Sequence, residues 1–422
     1  MSFFKSFSVA LLLNLLPNPL ANANITKLKA FDANEVPFSN PYLATLWGAI
    51  RVGMTVDYIP HVKTYRILSD RFDNANLKNR GVPVTIALQH RGMIHQQKPV
   101  KRPLLAYMPG LGSNHNGHWT RYTIPKFARR GYHVAVFPSP MSRDFLSQRH
   151  KHAPGNFIEE ARTQLDLIRQ ARKAIGEDLV SEVHFLAESY GAFIGSIMVA
   201  LDSLESTENR IFDHGISRVA FVSPPLDFSR TLQRVDKEVV ETREPFSFLC
   251  HEFVNDVRLA LETIFRSGEE NVSETTKICA RGHIVHTGFK GATLEGSEVF
   301  EQAWGVRLTP PDTREYSLWR QSVLVSEVFK LFNAQSNDIL GNPDFRNFSY
   351  WISQARRNSE INIGILASTD DFLNDASFWQ NLPYAEFIID RISLHERGGH
   401  MGFVTSTSFN KDLFKIIPKV AH

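Results

Sequence analysis

The sequence predicts an α/β fold with a mostly parallel central sheet, helices on both faces and a helical cap inserted before the acid-bearing strand. Three observations carry this expectation. Over residues 82–225, short buried strands alternate with helices at the spacing of βαβ units. Over residues 227–360 helical patterns take over, and no buried strand of comparable quality is present. From residue 361 the strand–helix rhythm returns. A helical block between two strands of one sheet is most simply a cap over the C-terminal sheet edge, where open α/β sheets bind ligands.

Each element has a local reason. "VPVTIALQHRG" (82–92) alternates and is rich in β-branched residues, as a strand should be. "RPLLAYMPGLGSN" (102–114) is a buried strand running into a Gly-rich loop. "YTIPKFARRG" (122–131) reads as a short helix, and "YHVAVFPSP" (132–140) as a buried strand ending in prolines. In "NFIEEARTQLDLIRQARKAIG" (156–176), Phe157, Ala161, Leu165, Ile168 and Ala171 recur at helical spacing, with Gly176 just past the end. "SEVHFLA" (181–187) is the next strand, "YGAFIGSIMVALDSL" (190–204) the next helix and "ISRVAFVSPP" (216–225) a further strand.

Within the helical block, "FLCHEFVNDVRLALETIF" (248–265) and "SLWRQSVLVSEVFKLFN" (317–333) are the clearest helices. "INIGILASTDD" (361–371) and "YAEFIIDRI" (384–392) are strands, and "FNKDLFKIIPKV" (409–420) holds the last helix. The pattern before residue 82 is weak and reads as an irregular extension. The expected organisation is a signal peptide (1–23), an N-terminal extension (24–81), a first core part (82–226), the cap (227–360) and a second core part (361–422).

Composition narrows the class. The chain has 422 residues, 43% hydrophobic and 22% charged, enough for one large α/β domain with an insertion. Its net charge of +3 comes from 47 basic and 44 acidic residues without a long cationic run, so nothing argues for nucleic acid. Thirty-one Phe suit a large core or an apolar pocket.

The first residues, "MSFFKSFSVALLLNLLPNPLANAN", read as an export signal: one early cation, Lys5, an apolar stretch over 7–16, then Ala21-Asn22-Ala23 as an A-x-A cleavage pattern. That stretch is shorter than the roughly 20 residues needed to span a bilayer, and no second candidate follows. A buried N-terminal helix is the alternative. Cleavage would remove Lys5, lowering +3 to +2, and would leave no transmembrane segment. The expected location is periplasmic or secreted. There, Cys250 and Cys279 can form one disulfide around a loop of about thirty residues, worth ~3 kcal/mol in the chain-entropy model.

The chemistry centres on "HFLAESYGAFIG" (184–195). Serine is a poor nucleophile unless it has an adjacent base and an exposed Oγ. A sharp strand–turn–helix elbow supplies the exposure, and crowding there demands small residues two before and two after the serine. Around Ser189 these are Ala187 and Gly191. Alone, the pentamer "AESYG" could equally be a bend.

Three further stretches fall where such chemistry needs them. "MPGLGSNH" (108–115) is a Gly-rich loop at a strand end, where backbone amides can approach an oxyanion. The expected donors are the amides of Leu111 and of Tyr190, the residue after the nucleophile. "ASTDDFL" (367–373) follows a late strand and offers an acid to orient a histidine. Taking Ser368 as the small residue three before the acid selects Asp371; taking Ala367 selects Asp370. Asp371 is preferred because Asp-Phe-Leu then leads into the next element, and the other Asp becomes a helix cap. "HERGGHMGF" (395–403) carries His400 between flexible glycines, and the competitor His395 lies nearer the strand end.

The order Ser189, Asp371 (or Asp370), His400 on one α/β pattern resembles the α/β-hydrolase superfamily. The run Gly398-Gly399-His400-Met401-Gly402-Phe403 is similar to a branch of lipid and short-chain ester hydrolases. The resemblance covers residues 82–422 apart from the helical block. Ala187 departs from the usual Gly, and Pro109 stands where His often precedes the oxyanion glycine; neither removes a group the chemistry needs. The resemblance implies hydrolysis of a small-molecule or lipid-like ester through an acyl-enzyme on Ser189, without a cofactor. A peptidase or amidase with the same residues, and a non-catalytic binding protein on the scaffold, are the competing readings.

Other polar clusters read as structural. His115 and His118 have metal-like spacing but no adjacent carboxylate or Cys, so no metal site is expected. "RHKHAPG" (149–155) reads as a solvated basic loop rather than an anion site. The aromatic runs "FSFLCHEF" (246–253) and "RNFSYWI" (346–352) fit either an acyl pocket or the core of the cap.

Overall fold

A computed structural model describes residues 36–54, 61–72, 81–91, 98–148, 150–152, 154–212, 215–250, 269–310, 313–333, 341–374 and 391–420. Eight strands among these form one sheet: β1 (Val62–Ile67), β2 (Val82–Ala87), β3 (Arg102–Met108), β4 (His133–Val136), β5 (Val180–Glu188), β6 (Arg218–Val222), β7 (Asn362–Ser368) and β8 (Arg391–His395). Their order is β1-β2-β4-β3-β5-β6-β7-β8. β2 runs antiparallel to both β1 and β4, and β4-β3-β5-β6-β7-β8 are parallel.

The longer helices among the described residues are α1 (Pro41–Met54), α2 (His118–Ala128), α3 (Phe157–Ile175), α4 (Tyr190–Ser203), α5 (Phe228–Leu249), α6 (Glu274–Gly282), α7 (Lys290–Trp304), α8 (Thr313–Ser322), α9 (Val325–Asn333), α10 (Phe348–Asn358) and α11 (Thr407–Ile416). A π-helical stretch, His283–Phe289, joins α6 to α7.

Both faces of the sheet are covered, which is why its strands are near-continuous apolar runs. Along β3 the side chains alternate between two cores. Leu104, Ala106 and Met108 pack with α3, α4 and α10, through Phe157, Phe193 and Phe348 among others. Leu105 and Tyr107 pack with α2 and α11, through Phe127, Phe409 and Leu413. α3 illustrates how local signals set an element. Asn156 caps it by accepting from the Glu159 N–H, Glu159 and Glu160 sit in its first turn, and its apolar stripe is buried.

Three expectations change. The extension over 24–81 contains α1 and β1 rather than irregular chain. α1 (PYLATLWGAIRVGM) is apolar nearly all round and so has no amphipathic period, while β1 (VKTYRI) is a largely exposed, polar edge strand. The helical block over 227–360 does not belong wholly to a cap. Its last helix, α10, lies on the sheet, where the Phe348 ring meets Phe221 of β6 edge-on at 5.2 Å. α10 is therefore the crossover between β6 and β7. The single helix expected over 317–333 is two, α8 and α9, because Val323 and Val325 turn into the core and Glu327 accepts from the Leu324 N–H. The segment over 1–23 expected to be a signal peptide, most of the 248–265 pattern and residues 384–390 lie outside the described residues.

Candidate active site

β5 ends at Glu188 and α4 begins at Tyr190, so Ser189 alone makes the turn. It does so at φ 52° and ψ −124°, a conformation that costs energy for any residue with a Cβ. Two contacts hold it there. The Ser189 N–H donates to Val222 O at 2.8 Å. A Cβ added to Gly191 would lie 2.4 Å from Pro109 O, so only glycine lets α4 start this close to the β3 loop.

His400 meets the elbow from the loop after β8. Its Nδ1–H donates to Asp371 Oδ2 at 3.0 Å, which leaves Nε2 to accept from the Ser189 hydroxyl at 2.7 Å. All three residues are buried. The Asp371 carboxylate also accepts from the Leu373 N–H at 2.9 Å. Asp370 faces the other way. Its carboxylate accepts from the N–H groups of Gly399 (2.8 Å) and Gly398 (3.2 Å), stapling the loop that carries His400. Ser368 adds a bond from its hydroxyl to Gly399 O. His395 is not at the site: it ends β8, and its ring stacks on Phe403.

The Gly-rich loop closes over the serine. The Ser113 N–H donates to Gly110 O at 3.2 Å and Gly112 takes φ 69°, a turn that does not use the Leu111 N–H. Tyr190 opens α4, so its own N–H has no intrahelical acceptor. Between these groups lies a cavity of about 200 Å³. Leu46 and Ala49 of α1, Ile284 and Phe289 of the π-helical stretch, Ala292 of α7, Leu111 and Met401 form its apolar walls. Ser113, Asn114, His118 and Glu188 contribute the polar side. The rings of Phe289 and Phe372 flank the His400 imidazole at 5.8 and 6.1 Å.

Two buried carboxyls lie just behind the elbow. Glu188 accepts from the Tyr107 hydroxyl at 2.5 Å, and burial lifts it to about 7 against the pull of Tyr107 and Lys126. Glu160 accepts from the Tyr190 hydroxyl at 2.8 Å and the Gly155 N–H at 2.7 Å, and burial raises it to about 7 as well.

The fold supplies a carboxylate that sequence adjacency did not offer His115: its Nδ1 lies 2.6 Å from Asp144. Among the described residues no group of three His, Cys, Asp or Glu side chains is placed to hold a metal. Cys250 and Cys279 are joined by a disulfide. No helix among the described residues is long and apolar enough to cross a membrane.

Two residues at the site carried no sequence signal. Asn374 ties the acid loop to the β6 loop, accepting from the Leu226 N–H at 3.0 Å and donating to Pro224 O at 3.1 Å. Thr45, on α1, accepts from the His400 N–H at 2.9 Å. Both act through contacts far apart in sequence.

The sheet order, the elbow after β5 and the chain order of the three hydrogen-bonded residues define an α/β-hydrolase scaffold. No protein-family model matches this chain, nor does any curated protein. Among solved structures it is similar to an acylaminoacyl peptidase of Pyrococcus horikoshii, at 10% identity and a TM-score of 0.44, over 89% of this chain and 44% of that one. The chain thus spans less than half the length of that peptidase. It is also similar to esterase B of Lactobacillus Rhamnosis (10% identity, TM-score 0.44, 89% and 91% of the two chains). A third is an esterase of Pyrococcus furiosus (10% identity, TM-score 0.42, 86% and 93%). Likenesses of this size do not speak to substrate.

Proposed function

We propose that the protein is a serine hydrolase that cleaves carboxylic esters of small or lipid-like substrates. The observation that carries this reading is the hydrogen-bonded line from Asp371 through His400 to Ser189, opening on an apolar-walled cavity. His400 Nε2 takes the Ser189 proton as Oγ attacks the acyl carbonyl, and Asp371 stabilises the imidazolium. The amides of Leu111 and Tyr190 receive the developing oxyanion; losing one such donor typically costs about a hundredfold or more in kcat. The tetrahedral adduct collapses, His400 protonates the departing alkoxide, and the acyl group stays on Ser189. Water, deprotonated by His400, then releases the acid and restores the serine.

The character of the cavity supports the ester reading. The apolar part of its described walls suits an acyl chain. Export is part of the proposal. The A-x-A segment and the Cys250–Cys279 disulfide both fit an oxidising compartment. N-terminal sequencing of secreted or periplasmic protein should begin at Asn24.

Fluorophosphonate labelling of Ser189, followed by a p-nitrophenyl ester chain-length panel, tests the reading. Ser189→Ala should remain folded and lose activity by about five to six orders of magnitude. Full activity in that variant would overturn the assignment. Cleavage of aminoacyl anilides without esters would move it to an amidase, and absence of labelling to a binding protein.

A further inference from the structure

The serine is fixed by the sheet, but the histidine rides on a loop whose backbone is held in part from outside the sheet. The His400 N–H donates to the Thr45 hydroxyl at 2.9 Å, across 355 residues of sequence. That hydroxyl donates in turn to Pro41 O at 2.7 Å, one turn back along α1. A single hydrogen-bonded line thus runs from the helix backbone to the histidine peptide. Packing leaves it no slack. A Cβ on Gly399 would lie 2.0 Å from Pro41 O, and one on Gly48 would lie 2.5 Å from Gly402 Cα. Gly399 and Met401, on either side of His400, both adopt left-handed backbone, at φ 53° and 71°. Such a turn persists only where its surroundings hold it. Asp370 holds the Gly398 and Gly399 amides, and Thr45 holds the next amide, that of His400 itself.

We propose that Thr45 is a positioning residue for His400, which makes α1 a part of the active centre rather than an appendage ahead of the core. The inference rests on the hydrolase reading of Ser189. Without the hydroxyl, the buried His400 N–H loses its acceptor, and the loop must shift to find another. The imidazole moves with it. Thr45→Val keeps the side-chain shape and the cavity wall, so substrate binding is spared while transition-state geometry is not.

The test compares wild type, Thr45→Val and Thr45→Ser, with rates expressed per site titrated by fluorophosphonate. Thr45→Val should lower kcat about 10- to 100-fold, the size expected of a small misplacement of a reacting group. KM should stay within about twofold, the sign of an interaction used in the transition state and not in binding. Thr45→Ser should return most of the rate. Wild-type kcat in Thr45→Val, a loss carried by KM, or a Thr45→Ser as slow as Thr45→Val would each overturn the proposal. Should Thr45→Val not fold, amide hydrogen exchange of the wild-type protein decides. The His400 N–H should be protected, and exchange at open-loop rates overturns the inference. Wild-type protein that neither labels nor cleaves esters would instead sink the hydrolase reading, and the exchange measurement would still judge the Thr45–His400 bond.

Discussion

The two halves of the site are built in opposite ways. The nucleophile half is built on the sheet: Ser189 is the one residue between β5 and α4, and its geometry follows from a strand end, a helix start and the bare Cα of Gly191 against Pro109 O on the neighbouring strand's loop. The histidine half is assembled from distant chain. His400 donates a side-chain bond to Asp371, its loop is stapled by Asp370 and Ser368, and its backbone is held by Thr45. Phe289, from the inserted helical block, and Phe372 flank its ring. The nucleophile is aimed by its own strand-to-helix turn, braced by backbone of the two neighbouring strands at Val222 and Pro109. A base that must give and take a proton is aimed by tertiary contacts, and these are open to disruption from several sides.

The largest effect should separate the two adjacent acids. Asp371→Asn keeps the shape but loses the charge that stabilises the imidazolium, and kcat should fall about 10⁴-fold, as for other triads whose acid is neutralised. Asp370 serves backbone amides only, so Asp370→Asn should cost about tenfold, through a looser loop. Equal losses in the two variants would mean that Asp370 shares the work of orienting His400, and the contrast between the acids would fail.

Next in size is the disulfide. Cys250 and Cys279 belong to the same small core as Phe38, Leu43 and Trp47 around α1. They close a loop with a sequence separation of 29. Cys250→Ser with Cys279→Ser should lower unfolding free energy by about 3 kcal/mol. Because α1 and the π-helical stretch lean on this core, the double variant should lose more rate at a given temperature than Ser189 labelling in the native state implies. Denaturant unfolding monitored alongside ester hydrolysis reads both. An unchanged midpoint would detach the disulfide from the histidine half.

The same contrast explains what the sequence made legible. "AESYG", "PGLGS", "STDDF" and "GGHMGF" stand out because each constrains its own backbone: a crowded turn, a loop of glycines, an acid after a strand. β3, β5 and β6 stand out because strands buried on both faces must be continuously apolar. α1 did not, since a helix buried nearly all round has no amphipathic period. β1 did not, since an exposed edge strand has no apolar face to repeat. Thr45, Asn374 and the Asp144 partner of His115 matter through residues 355, 148 and 29 positions away. No local pattern marks such pairs. The end of the helical block is hidden in the sequence for a related reason, because what sets α10 apart is its seat on β6, where Phe348 meets Phe221.

The smallest effect probes how far the nucleophile half is over-determined. Glu160 anchors the side chain of Tyr190, whose own N–H is a proposed oxyanion donor. If the elbow is held by the sheet, that anchor should be dispensable. Glu160→Gln keeps an acceptor for the Gly155 N–H, and the Tyr190 hydroxyl can accept from the new amide. Ester kcat should then stay within about threefold of wild type, well short of the loss expected where a missing contact displaces a reacting group. Stability should respond instead, and with a definite sign. Burial raises Glu160 from 4.5 to about 7, so between those values the native state keeps a proton that the unfolded chain has released. Its contribution is fully present below pH 4.5 and is lost as pH rises through about 7. Glutamine cannot ionise, so the melting temperature of Glu160→Gln relative to wild type should climb steadily across that interval. A pH-independent difference would place the Glu160 proton elsewhere. A large fall in kcat would show that the oxyanion side leans on a remote contact as heavily as His400 leans on Thr45, and the two halves would no longer differ in kind.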